Sequence, residues 1–318
     1  MKRSTRSLAF FLLVATTCIH AIGPSAWSED ADLKQADALF EKKNYADAVR
    51  AYRNLLDVEE AATVRHACRR IVLCELRLRR FDPALDAAEA YVQRVAGTPF
   101  EARATRMAGN LWLSVPHWGT RAGGTFHRAE WKQGIQVRSW RHDKAKAIAY
   151  LERARDLYAA WDAPGKAAAL REILGEEGAG TWHEERLDGL FDLAGACARF
   201  GIYENAWSFW YGWWAERDDF MAETIGEDDF DEYHGDWELR RKRPVGLRLD
   251  GNGEPVFPTK PGAWSPDLDD DRKILWLLQE VRDLDRSEDR TYTATSLYRQ
   301  AMLARSRFGM DRVHAYAN

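Results

Sequence analysis

Apolar residues recurring at three- and four-residue spacing along most of the chain limit its fold more than any other feature, because such a stripe suits one face of an α-helix and not a strand. Between Asp32 and Leu56 two stripes follow one another. Leu33, Ala36, Leu39 and Phe40 mark the first, and after Lys43-Asn44 come Tyr45, Ala48, Val49, Tyr52, Leu55 and Leu56. Two short helices separated by so few polar residues must pack side by side as an αα-hairpin. Ala36 and Ala48 are small enough to let the two axes approach.

The pattern recurs. Val64, Ala67, Cys68, Ile71 and Val72 lead into Phe81, Ala84, Ala88 and Tyr91, and Ala84 stands 36 residues after Ala48, close to the tetratricopeptide period of about 34. A further copy reads from Leu190, Leu193, Ala194 and Cys197 into Tyr203, Ala206, Trp210 and Trp213. Ala147, Ile148, Leu151, Ala154, Leu157, Tyr158 and Trp161 form another amphipathic helix, with Asp143 as its expected N-cap and Pro164-Gly165 as its stop. Near the end, Ile274, Leu277, Leu278, Val281 and Leu284 mark one helical face. Leu297, Ala301, Ala304 and Phe308 mark the next, with Gly309 as cap. Two segments depart from this periodicity, 114–142, rich in Gly, Trp and His, and 218–268, which runs from acidic through basic to Pro- and Gly-rich. In the second, Leu247 and Leu249, then Asp250-Gly251-Asn252-Gly253, then Val256 and Phe257 predict one β-hairpin. The fold class expected is therefore all-α, a tetratricopeptide-like α-solenoid of helical hairpins with one small β-hairpin insertion.

The start of the chain points to export. Lys2, Arg3 and Arg6 precede an apolar run from Leu8 to Ala15 that is too short to span a bilayer, and Ala26 and Ser28 suit cleavage before Glu29. Acylation at Cys18 is the alternative, with Thr17 a poor residue to precede it. The expected divisions are a signal peptide at 1–28, hairpins at 29–113, an insertion at 114–142, hairpins at 143–217, a charged loop with the β-hairpin at 218–268 and helices at 269–318. Cleavage takes the formal charge from −4 to −7 by removing three cations. An acidic chain with interspersed signs is unsuited to nucleic acid. No later stretch is apolar enough for a transmembrane helix, so a soluble periplasmic or extracellular protein is expected. Cys68, Cys74 and Cys197 then remain, an odd number. The first two lie six apart on different faces of a helix and cannot pair, so all three read as buried small hydrophobes.

No constellation carries chemistry. His117, His127 and His142, with Glu130 nearby, invite a metal site, but none shows the H-E-x-x-H spacing, and His183-Glu184-Glu185 lacks a second histidine. Asp267, Asp269 and Asp271, and likewise Asp250, Asn252 and Glu254, lack the glycine and terminal glutamate of a calcium loop. No phosphate-binding glycine loop or G-x-S-x-G elbow is present. No catalytic residue, metal ligand or cofactor is assigned, and the positions that would bind a partner stay open. Of the 14 tryptophans, Trp210 and Trp213 read as packing residues, whereas Trp118, Trp131 and Trp214 are open to a role in binding glycan or peptide.

The block Val115-Pro116-His117-Trp118-Gly119, Gly124 and Phe126-His127-Arg128, leading into Asp143-Lys144-Ala145, resembles the N-terminal helical region of bacterial alpha-2-macroglobulin-like proteins of the planctomycete type. The later Asp250-Gly251-Asn252-Gly253-Glu254-Pro255-Val256-Phe257 and the helix bearing Trp276 are similar to the same region, in the same order over roughly residues 30 to 310. The resemblance implies a helical front end that positions or recruits partners for an endopeptidase inhibitor acting by entrapment, whose chain continues into macroglobulin β-sandwich domains. Some members of that family carry a Cys-x-Glu-Gln thioester, and no cysteine here is followed by that pattern. The function expected is thus a non-catalytic accessory region that binds protein segments: macroglobulin domains of the same chain, an envelope protein or a protease. A free-standing envelope adaptor and a metal-dependent hydrolase using the three histidines are the alternatives.

Overall fold

A computed structural model describes residues 25–198, 248–249, 255–256 and 259–308, with side chains over 31–198 and 259–304. Helices α1 (Ser25–Glu41), α2 (Tyr45–Asn54), α3 (Ala61–Arg77), α4 (Phe81–Arg94) and α5 (Pro99–Ser114) follow one another with short connections, and each packs against the next. α1 begins ahead of the expected cleavage point at Glu29; the basic and apolar residues of the predicted leader, with Cys18, lie outside the described residues.

The α1–α2 and α3–α4 turns are built alike. Lys43 and Arg79, 36 residues apart, both take left-handed backbone, with φ of 59° and 57°. The Asn44 and Lys43 amides donate to the carbonyls of Leu39 and Phe40 at 2.9 and 2.8 Å, and those of Arg80 and Arg79 donate to Glu75 and Leu76 at 2.8 Å each. This paired 6→1 and 5→2 closure satisfies the last carbonyls of α1 and α3 and reverses the chain. The side chains repeat the theme, since Ala36, Ala48, Ala67 and Ala84 are all 0% exposed where the helices meet.

Helices α6 (Trp140–Trp161), α7 (Ala167–Gly180), α8 (Trp182–Ala198), α9 (Asp270–Leu284) and α10 (Thr291–Phe308) complete the helical part. α6 lies along α5 and α8, while α9 packs on α8 and α10. α5 and α6 touch closely at Gly109, where a Cβ would stand 2.7 Å from Leu151 Cγ and 3.2 Å from the Ala147 carbonyl. One apolar core joins α3, α4, α5, α6, α8 and α9, with Val72, Leu111, Leu151, Leu193 and Leu277 among its members. Cys68 and Cys197 are buried in it and Cys74 in the smaller cluster between α1, α2 and α3; all three are unpaired, and burial pushes the Cys74 and Cys197 thiols up to about 12.

Three expectations need correction. Segment 114–142 is not irregular: β1 (Trp118–Ala122), β2 (Thr125–Arg128) and β3 (Ile135–Arg138) form an antiparallel sheet in the order β2-β1-β3. Gly123 and Gly124, with φ of 56° and 82°, make the two-residue turn between β1 and β2. Asp143 does not cap α6, which starts three residues earlier with Ser139 at the N-cap; its carboxylate is fully buried in the first turn. The face of α10 also differs. Leu297 is 53% exposed, while Ser296 and Arg299 are buried, because Ser296 Oγ donates to the Leu278 carbonyl and Arg282 of α9 donates to Gln300, turning a polar face inward. The predicted β-hairpin is present as β4 (Arg248–Leu249) paired with β5 (Pro255–Val256). The molecule is mostly helical with a small three-stranded sheet. The second helix of the third hairpin copy, with Trp210 and Trp213, and Trp214 beyond it, lies outside the described residues, as does Gly309.

Candidate interaction surface

The sheet is fastened to the helices by one buried cluster. Arg128, at the end of β2, donates from Nη1 to Asp143 Oδ2 at 2.7 Å and from Nη2 to Oδ1 at 3.2 Å, from Nε to Asp82 of α4 at 2.9 Å, and from Nη1 to the Pro116 carbonyl at 2.7 Å. Ser139 Oγ donates to Asp143 Oδ2 at 2.6 Å. His117, between α5 and β1, sets Nδ1 2.9 Å from Asp143 Oδ2 and Nε2 3.2 Å from the Leu113 carbonyl. Both neighbours are acceptors, so a doubly protonated ring makes both bonds and a neutral ring only one. Burial pushes the Asp143 carboxyl up, but the bonds from His117, Arg128 and Ser139 and the Arg128 charge outweigh it and hold the group below its ordinary range. A charge buried this deeply persists only because it is paired several times over.

The outer side of the sheet is held in a different way. Thr120, fully buried in β1, donates to the Glu130 carbonyl at 2.7 Å and accepts from the Lys132 amide at 3.2 Å and Gln136 Nε2 at 2.8 Å. These bonds pin the loop between β2 and β3, and Trp131 at its crest is 75% exposed, its ring tilted against that of Trp118 with centroids 5.1 Å apart. Ile135, at the start of β3, is 70% exposed. Lys132 Nζ pairs with Glu130 at 2.6 Å and touches His127 Nδ1 at 3.1 Å. Gly119 is required here, since a Cβ would lie 2.2 Å from the His127 carbonyl of the adjoining strand.

The three histidines considered for a metal therefore go separate ways. His117 is in the buried cluster, His127 meets Lys132, and His142 lies edge-on to Trp112 with ring centroids 5.7 Å apart. Among the described residues no three His, Cys, Asp or Glu side chains gather as a metal site would require. His183 and Glu185 are interhelical linkers, the first contacting Asp162 and the Leu284 carbonyl, the second accepting from Arg103 at 2.6 and 2.8 Å. Asp269 caps α9 by accepting from the Arg272 amide at 2.9 Å. Asp250, Asn252 and Glu254 fall outside the described residues.

Sequence reading missed the buried polar ties between helices. Arg106 of α5 donates to Asp192 of α8 at 2.5 Å beside Asn110, and Lys144 of α6 reaches the Cys197 carbonyl at 3.0 Å and Asp270 at 2.8 Å. Their partners are 82 to 126 residues apart in sequence for the Asn110–Asp192, Arg106–Asp192 and Lys144–Asp270 pairs, and no local spacing reveals them. No helix among the described residues is long and apolar enough to cross a membrane. No protein-family model matches the chain, and no curated protein matches it.

Proposed function

We propose that this chain is the exported, non-catalytic helical region of an alpha-2-macroglobulin-like endopeptidase inhibitor, a tetratricopeptide-like array that holds protein segments. One observation carries this reading. Four of the residues on which the resemblance rests, His117, Gly119, Arg128 and Asp143, build and fasten the sheet: three form the buried cluster and the fourth permits the close approach of β1 and β2. A motif whose members converge on one structural task is better support than the same letters scattered through the fold. The recurrence of one turn geometry at a 36-residue interval supports the repeat reading beside it.

The test is the size of the native polypeptide in its own cells, by immunoblot with an antibody raised against residues 29–308. The chain as given has a mass of 36.5 kDa. A band several times larger is expected, because the inhibitor's β-sandwich domains would follow on the same polypeptide. A band slightly below this mass would replace the inhibitor reading with that of a free-standing envelope adaptor.

A further inference from the structure

We propose that the outer edge of β3, with the Trp131 loop above it, receives an extended acidic polypeptide segment as an added strand; this rests on the reading that the chain holds protein segments. β3 stands at the end of the sheet, paired with β1 on one side. Ile135, Gln136 and Arg138 are exposed and Val137 half-buried, so backbone groups on the outer side lie within reach of another chain. The opposite end of the sheet is different. There Arg128 of β2 is buried against Asp82 and Asp143, which ties that strand to α4 and α6.

Charge selects the occupant. Residues 114–142 carry Arg121, Arg128, Lys132, Arg138 and Arg141 against the single acid Glu130, in a chain whose formal charge is −4. Arg128 is neutralised inside by two carboxylates and Lys132 pairs with Glu130, while Arg121 and Arg141 add exposed positive charge beside them. Arg121 lies opposite Ile135 in the register of β1 and β3, and Arg138 lies opposite Trp118, which the Trp131 ring touches. A strand laid along β3 would alternate its side chains between these faces, meeting an aliphatic group beside a cation on one and an indole beside a cation on the other. Glutamate or aspartate interspersed with apolar residues satisfies both. A second copy of β3 would bring like charges together, and a nucleic acid lacks the alternating N–H donors and C=O acceptors that continue a strand ladder.

The experiment is hydrogen–deuterium exchange of the full chain titrated with a short peptide alternating glutamate and valine, its lysine–valine counterpart, and single-stranded oligothymidylate. The acidic peptide is expected to slow exchange over residues 117–141 most strongly at 135–138. Its binding should weaken at least about tenfold in the exposed double variant Arg121→Glu/Arg141→Glu and fall with added salt. Trp131→Ala should weaken it without altering the melting temperature. Protection by the acidic peptide confined to the helices would overturn this inference and leave the segment-holding reading intact. No protection by either peptide at millimolar concentration anywhere in the chain would count against both. Equal protection by the lysine peptide, or stronger protection of the same amides by oligothymidylate, would also overturn it, the latter by making the patch a general anion site.

Discussion

Asp143 shows what a single residue can conceal. In sequence, an aspartate ahead of an apolar stripe reads as a helix cap; in the structure it is the common acceptor for His117, Arg128 and Ser139, fully buried. Both roles use the same residue type at nearly the same position, and only the arrival of Arg128 from another element separates them. Asp143→Ala should cost about 3 kcal/mol in urea unfolding, because it leaves the buried Arg128 with the half-exposed Asp82 as its one carboxylate partner and takes the shared acceptor from His117 and Ser139. The pH dependence has a definite sign. The folded carboxyl is held below its ordinary value near 3.8, so the stabilisation is complete above that value and is lost as pH falls through the lower folded value. The stability gap between the native protein and Asp143→Asn should therefore hold steady at neutral pH and narrow below about pH 4. A gap that widens on acidification would contradict the assignment. The cysteines, by contrast, were legible, since small apolar residues on helical stripes belong in a core. With the Cys74 and Cys197 thiols held near 12, a thiol reagent at pH 8 should leave Cys68, Cys74 and Cys197 unlabelled in the folded chain and modify all three in denaturant.

Among elements, the first four helices were legible because their apolar period is long and their turns are short. The sheet was not, because strands of four or five residues carrying Trp, Gly, His and Arg show no clean alternation, and the Gly123-Gly124 turn was the one local signal. α10 was read on the wrong face for a related reason: its contact with α9 is made through Ser296 and Arg282, and hydropathy does not mark a polar interface. The matched turns allow a paired test. Lys43 and Arg79 each hold left-handed backbone without being glycine, so Lys43→Gly and Arg79→Gly should each stabilise the chain, by roughly 0.5–1 kcal/mol in thermal or urea unfolding. Stabilisation at one turn and clear destabilisation at the other would argue that the two hairpins are not equivalent. At the α5–α6 crossing the direction reverses. Gly109→Val places methyl groups where Leu151 and the Ala147 carbonyl already stand, and should lower stability by about 1–3 kcal/mol.

At the scale of the molecule, helices α1 to α6 form a chain of neighbours, each packed on the next. A small sheet is carried at the α5–α6 junction by ion pairs rather than by apolar packing alone. The helical class could be read from sequence; the way distant segments are tied could not, since Lys144 and Asp270 are 126 residues apart. Under the proposed function, the helical region alters what the whole polypeptide does to a protease. The most direct measurement is entrapment: endopeptidase activity toward a large protein substrate and toward a small chromogenic peptide, after incubation with the native polypeptide purified from its own cells. The account predicts loss of cleavage of the large substrate with the small one still cleaved, and a weaker loss when residues 29–308 are deleted. Full cleavage of both substrates in the presence of the intact native polypeptide would contradict it.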